Sequence, residues 1–137
     1  MPRCDGVLET SLYVQDLDRS VAFYHGLFGF EPMVQDERLC ALSVLGKQVL
    51  LLFRQGGSPR PTSLEGRELP GHDARGQIHL AFAIATTELP GWEKHLQERQ
   101  VAIESRVHWP RGGQSLYFRD PDGHLLELVT PGCWPIY

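Results

Sequence analysis

The chain has 137 residues, 42% hydrophobic and 22% charged, with a net charge of −4, which fits a compact globular unit and speaks against a nucleic-acid partner. No apolar run approaches the roughly 18 residues needed to cross a bilayer, and no secretory leader pattern opens the chain, so neither a membrane partner nor export is expected. Cys4, Cys40 and Cys133 are odd in number and lack C-x-x-C spacing, which argues against a disulfide framework or zinc knuckle and makes the reducing cytoplasm the expected location.

Residues 8–14 read as a strand, with Leu8, Thr10, Leu12 and Val14 on one face and Glu9, Ser11 and Tyr13 on the other. Asp16 or Asp18 can cap the helix that follows, whose apolar face is Leu17, Val21, Tyr24 and Phe28, and Gly29 is its stop. Strands are expected around 30–34, 39–45 and 48–53, with Gly46-Lys47 as a hairpin turn. Residues 55–77 are rich in Gly and Pro; they read as a connection between half-domains or as a functional loop over a site.

The second half repeats the first. Ile78, Leu80, Phe82 and Ile84 share one face of a strand and His79, Ala81 and Ala83 the other. A helix from a Thr87 cap to Arg99 follows, with Leu89, Trp92 and Leu96 on one face. Strands are then expected at 101–104, 115–118 and 125–129, the last two joined by the turn Asp120-Pro121-Asp122-Gly123. The economical reading is α+β: one domain over 1–137 built from two tandem βαβββ modules, about 5–54 and 78–131, with 55–77 between them.

Three side chains stand out by face. Glu9, His79 and Glu127 lie opposite the aliphatic faces of their strands, and a one-residue slip would expose every leucine. A lone carboxylate such as Glu127 between Leu126 and Leu128 must be paired or metal-bound if buried. Two carboxylates and an imidazole from three strands would form a facial set on a divalent ion, with positions left open for substrate or water.

Three stretches, residues 13–24, 78–82 and 115–128, together make the chain resemble the vicinal oxygen chelate superfamily, which includes glyoxalase I, fosfomycin-resistance thiol transferases, extradiol dioxygenases and bleomycin-resistance proteins. The resemblance implies paired βαβββ modules forming an incomplete, U-shaped barrel around a cleft. By position it places the metal ligands at Glu9, His79 and Glu127. The sequence departs from the pattern at Glu9, where many members have His. It departs again at Leu51, where glyoxalase I carries a glutamate, which makes glyoxalase I activity the less expected one.

The resemblance further implies that Glu127 and Tyr117 act at the reacting centre and that Tyr117 contacts a bound oxyanion. Ser11 and Ser115 would orient the substrate, and Arg111 or Arg54 would hold an anionic group. His108 is a candidate proton carrier, while Trp109, Trp134 and Phe118 either wall the cleft or complete the core. His25, His72, His95 and His124 are assigned nothing.

The implied cofactor is a divalent ion, with Mn, Fe, Mg, Zn and Ni all open. The implied activity is a lyase or isomerase, thiol transferase or dioxygenase acting on a small molecule with two neighbouring oxygens. A metal-free binding protein of the bleomycin-resistance type is the alternative. A homodimer is expected, with the site either within one chain or shared across the interface.

Overall fold

The computed structural model describes all residues, 1–137, in two compact units, Met1–Gly76 and Gln77–Tyr137.

In the first unit, β1 (Glu9–Val14) leads into α1 (Leu17–Phe28), followed by β2 (Glu31–Gln35), β3 (Leu39–Val44) and β4 (Gln48–Arg54). The sheet order is β1-β4-β3-β2, with β1 parallel to β4 and the other pairs antiparallel. Alternation sends Leu12, Val14, Leu42, Leu50 and Leu52 into a core against Leu17, Tyr24 and Leu27 of α1. Each such side chain stabilises the unit by about 1.5–3 kcal/mol on burial.

The Asp16 side chain caps α1 by accepting from the Arg19 N–H at 3.0 Å, and Gly29 ends the helix at φ 70°. The buried stripe is Leu17, Ser20, Tyr24 and Leu27, turned from the expected face. Ser20 is small enough to lie against the sheet, which leaves Val21 and Phe28 half-buried. The β3–β4 turn contains the expected Gly46-Lys47 and Leu45 before them: Leu45 and Gly46 both have positive φ, and the Lys47 N–H closes onto the Val44 carbonyl.

Residues 55–77 hold a hairpin that their composition hides, β5 (Thr62–Leu64) and β6 (Arg67–Leu69), turning through Glu65 and Gly66 at positive φ. The segment is fastened to the first unit. Tyr13 Oη meets His72 Nδ1 at 2.6 Å, the His72 N–H donates to the Ser58 carbonyl, and Arg38 donates to Ser58 Oγ.

The second unit repeats the topology. β7 (His79–Ala83) is followed by a 3-10 turn (Thr86–Glu88), α2 (Leu89–Glu98), β8 (Ser105–His108), β9 (Gln114–Arg119) and β10 (Leu125–Val129), in the order β7-β10-β9-β8 with β7 parallel to β10. Thr87 is not a cap. It lies inside the 3-10 turn, and the helix starts without a side-chain cap, where Pro90 fits because the first turn needs no N–H from it.

The strand expected at 101–104 lies instead at Ser105–His108. The Val101 N–H still closes the end of α2 on the Leu96 carbonyl, after Gln100 at φ 57°. Leu96, Leu116, Phe118, Leu126 and Leu128 form this unit's core. The architecture is α+β, two βαβββ modules in tandem. No helix is long and apolar enough to cross a membrane.

Candidate metal and substrate site

The second unit's register gathers polar residues around the middle of β10. His79 is level with Leu125 and Ala81 with Glu127 across the parallel pair, and Tyr117 is level with Glu127 across the antiparallel one. Glu127 therefore has a methyl group on one side and a phenol on the other, with His79 on the diagonal. It is 5% exposed, a depth at which a carboxylate requires partners.

Glu127 has them. Ser115 Oγ donates to Oε1 at 2.5 Å, and His79 Nε2 stands 3.1 Å from Oε2. Tyr117, on β9, stands beside Glu127. Its phenol pKa is raised, first by burial and then by its interaction with the Glu127 carboxylate. Burial and the same charge also raise the Cys133 thiol. Trp109 Nε1–H donates to Ser115 Oγ at 2.7 Å. An indole can only donate, so Ser115 accepts from Trp109 and gives its own proton to Glu127.

The other ring nitrogen of His79 lies 2.9 Å from the Leu125 carbonyl. A carbonyl only accepts, so Nδ1 carries the proton, and the second nitrogen, Nε2, faces a carboxylate oxygen that also only accepts. Something must bridge them, either a proton, on the imidazole or on the carboxyl, or a cation. The 3.1 Å spacing of Nε2 and Oε2 matches the roughly 3 Å between adjacent ligands on an octahedral ion with bonds of about 2.1 Å. The pair therefore fits two adjacent positions on a divalent ion, as it equally fits a direct hydrogen bond.

His79, Glu127, Ser115 and Tyr117 are thus brought together. Glu9 and Ser11 belong to the first unit, Glu9 exposed at the start of edge strand β1 and Ser11 half-buried and level with Leu51. No three His, Cys, Asp or Glu side chains gather as a metal-holding group. Arg111 is exposed in the loop between β8 and β9, and His108 is exposed at the end of β8.

Arg54 shares a pocket with Asp16, Asp18, Asp36 and Glu37, acidic company that does not suit an anion site. A groove of about 600 Å³ beside α2, lined by Pro90, Glu93 and Val101 among others, contains none of the cluster. Sequence reasoning missed Trp109 as a donor and His124, which is buried and accepts the Ile78 N–H at 3.1 Å, next to His79. Only the position of His124 directly after the D-P-D-G turn hinted at it.

The profile described as Glyoxalase/Bleomycin resistance protein/Dioxygenase superfamily matches residues 6–128. A metallothiol transferase FosB of Bacillus licheniformis is 31% identical over 126 residues, covering 91% of this chain and 75% of the relative. A metallothiol transferase FosB of Staphylococcus saprophyticus is 31% identical over 119 residues, covering 85% and 71%. The crystal structure of a lactoylglutathione lyase from Agrobacterium tumefaciens superposes with a TM-score of 0.88 at 32% identity, covering 98% of this chain and 99% of that one. The chain belongs to the glyoxalase/bleomycin resistance protein/dioxygenase superfamily.

Proposed function

We propose that the protein is a divalent-metal enzyme that transfers a thiol to a small substrate presenting two neighbouring oxygens. The observation that carries the metal reading is the His79–Glu127 pair, two electron-pair donors facing each other at 3.1 Å. Thiol transfer is supported by the FosB relatives. Leu51 supports it too, since it offers no carboxylate level with Ser11 to serve as a lyase base.

His79 Nε2 and Glu127 Oε2 would hold the ion, and Glu9 would be the third ligand. The bound ion supplies Lewis-acid polarisation of the substrate oxygens. Ser115 holds the carboxylate in place. Tyr117, half-exposed beside Glu127, would turn its hydroxyl toward a substrate oxyanion. Ser11 and Arg111 are assigned to substrate orientation and to an anionic substrate group.

We take Glu9 from a second copy of the chain in a homodimer. It follows Val7 and Leu8, 69% and 67% exposed, on the open edge of the first sheet, an apolar flank suited to cover by a second chain. Elemental analysis of protein purified without added metal, with thermal shifts in Mn²⁺, tests the metal reading. A bound ion or a clear shift is expected, and the lack of both overturns it. Mixing Glu9→Ala and His79→Ala subunits should restore some metal sites, and failure to restore any would mean that each chain builds its own. Thiol consumption with cysteine or glutathione as donor tests the reaction type.

A further inference from the structure

Trp109 lies outside the proposed ligand set, yet its orientation reaches Glu127 through one atom. Its indole N–H donates to Ser115 Oγ at 2.7 Å, and Ser115 Oγ donates to Glu127 Oε1 at 2.5 Å. A serine hydroxyl has one proton and an otherwise free rotor. With an obligate donor on its acceptor side, that proton is left for Glu127 or the neighbouring Tyr117 hydroxyl, and the 2.5 Å contact is to Glu127 Oε1.

The indole itself is held by its loop. The Trp109 N–H donates to the Gly113 carbonyl at 2.8 Å, and the Gly112 N–H returns to the Trp109 carbonyl at 2.9 Å. Gly113 is packed so closely on Gly132 that a Cβ there would lie 2.6 Å from the Gly132 carbonyl carbon. One residue on, the Gln114 N–H donates to Thr130 Oγ1 and the Thr130 N–H to the Gln114 carbonyl. The relay is fixed at both ends by backbone.

We propose that Trp109 is a positioning residue for Glu127: its indole N–H directs the Ser115 proton to Oε1 and thereby leaves Oε2 as the oxygen that would meet the ion. This rests on the metal reading above and adds to it a more distant residue that orients the carboxylate. Without the indole, Ser115 can turn away and the carboxylate loses the contact that fixes its rotation.

The test has two independent parts. In metal-free, ¹⁵N-labelled protein, Ser115→Ala should move the Trp109 indole proton resonance upfield, as expected when a hydrogen bond is lost; an unmoved resonance overturns the relay whatever the metal does. In Mn²⁺ titrations, Trp109→Phe and Ser115→Ala should each weaken binding by about 10-fold, within the 10–100-fold range of outer-shell partners. Trp109→Phe/Ser115→Ala should bind no more weakly than Ser115→Ala alone, and Ser115→Thr, which keeps a hydroxyl, should retain most of the affinity. Independent, multiplying losses would mean that Trp109 acts by packing and overturn the proposal, as would an unchanged affinity in Trp109→Phe. A wild-type chain that binds no Mn²⁺ overturns the metal reading, whereas binding that Trp109→Phe leaves intact overturns this inference alone.

Discussion

Glu127 and Leu51 occupy the same position in two copies of one register. Glu9 is level with Val49 and, two residues on, Ser11 with Leu51; His79 is level with Leu125 and Ala81 with Glu127. The antiparallel neighbours diverge too, Tyr117 beside Glu127 and Ala41 beside Leu51. One module has an acid with the donors that make its burial tolerable, while the other has a leucine there between Ala41 and Ser11. A carboxylate tolerates burial only with its hydrogen-bond partners, which the second module supplies at Glu127.

That dressing leads to an asymmetric expectation for Glu127→Gln. The amide oxygen can still accept from Ser115, and the amide N–H can donate to His79 Nε2, which an ionised Glu127 Oε2 cannot do. Metal-free stability should stay within about 1 kcal/mol of wild type and fall on the stabilising side. Metal affinity should drop by more than about 100-fold, beyond the usual effect of an outer-shell change. Chemical denaturation and metal titration of the same preparation check both halves. A variant destabilised by several kcal/mol would show that the pair is held by a second proton on His79.

Two glycines should respond to alanine in opposite directions. At Gly113 a Cβ would come within 2.6 Å and 2.7 Å of Gly132 and Cys133 backbone atoms, so Gly113→Ala should cost about 1–3 kcal/mol as an overpacked contact. At Gly91, in the first turn of α2, a Cβ meets nothing within 4 Å, and Gly91→Ala should gain about 0.5–1 kcal/mol from helix propensity. Urea denaturation distinguishes the signs directly.

Asp36 provides a pH-dependent share of stability. Its carboxylate accepts the Arg38 and Leu39 backbone N–H groups at 2.7 Å and 2.9 Å, which holds its pKa below the ordinary 3.8. A depressed folded value means this contribution is present above 3.8 and is lost as the pH falls through the lower folded value. The side chain is exposed, so the charged share should be only about 0.5 kcal/mol. Asp36→Ala should be less stable than wild type near neutral pH, with the gap narrowing in acid. A gap independent of pH would mean the turn is held by other contacts.

How far the site could be read in advance depended on what kind of information each residue carries. Strand parity moves Glu127 off the leucine face and puts His79 on the same side, because the period of two is a local property. The topology followed from the repeat for the same reason. Trp109, Ser115 and His124 matter through single hydrogen bonds between residues that no local pattern relates: Trp109 and Ser115 are partners only because a loop folds back, and His124 reaches Ile78 over 46 residues. The hairpin within 55–77 was hidden by glycines and prolines that mark turns and breaks alike. The α1 face turned because Ser20, polar by type, is small enough to bury.

Leu45 is the residue whose local chemistry most contradicts its conformation. It takes φ 55° beside Gly46 at φ 66° in the loop between Val44 and Gln48, a left-handed conformation that Asn tolerates and in which a leucine side chain is crowded by its own backbone. Its side chain is 82% exposed, so no core contact offsets that strain. Leu45→Asn should stabilise the protein by about 0.5–1 kcal/mol and raise Tm by about 2–4 °C, with metal affinity unchanged. Leu69→Asn is the control, an exposed leucine in β6 that is not among the positive-φ residues, and it should give no gain. If both substitutions stabilise equally, the benefit comes from removing surface leucine. If only Leu45→Asn does, it comes from the turn.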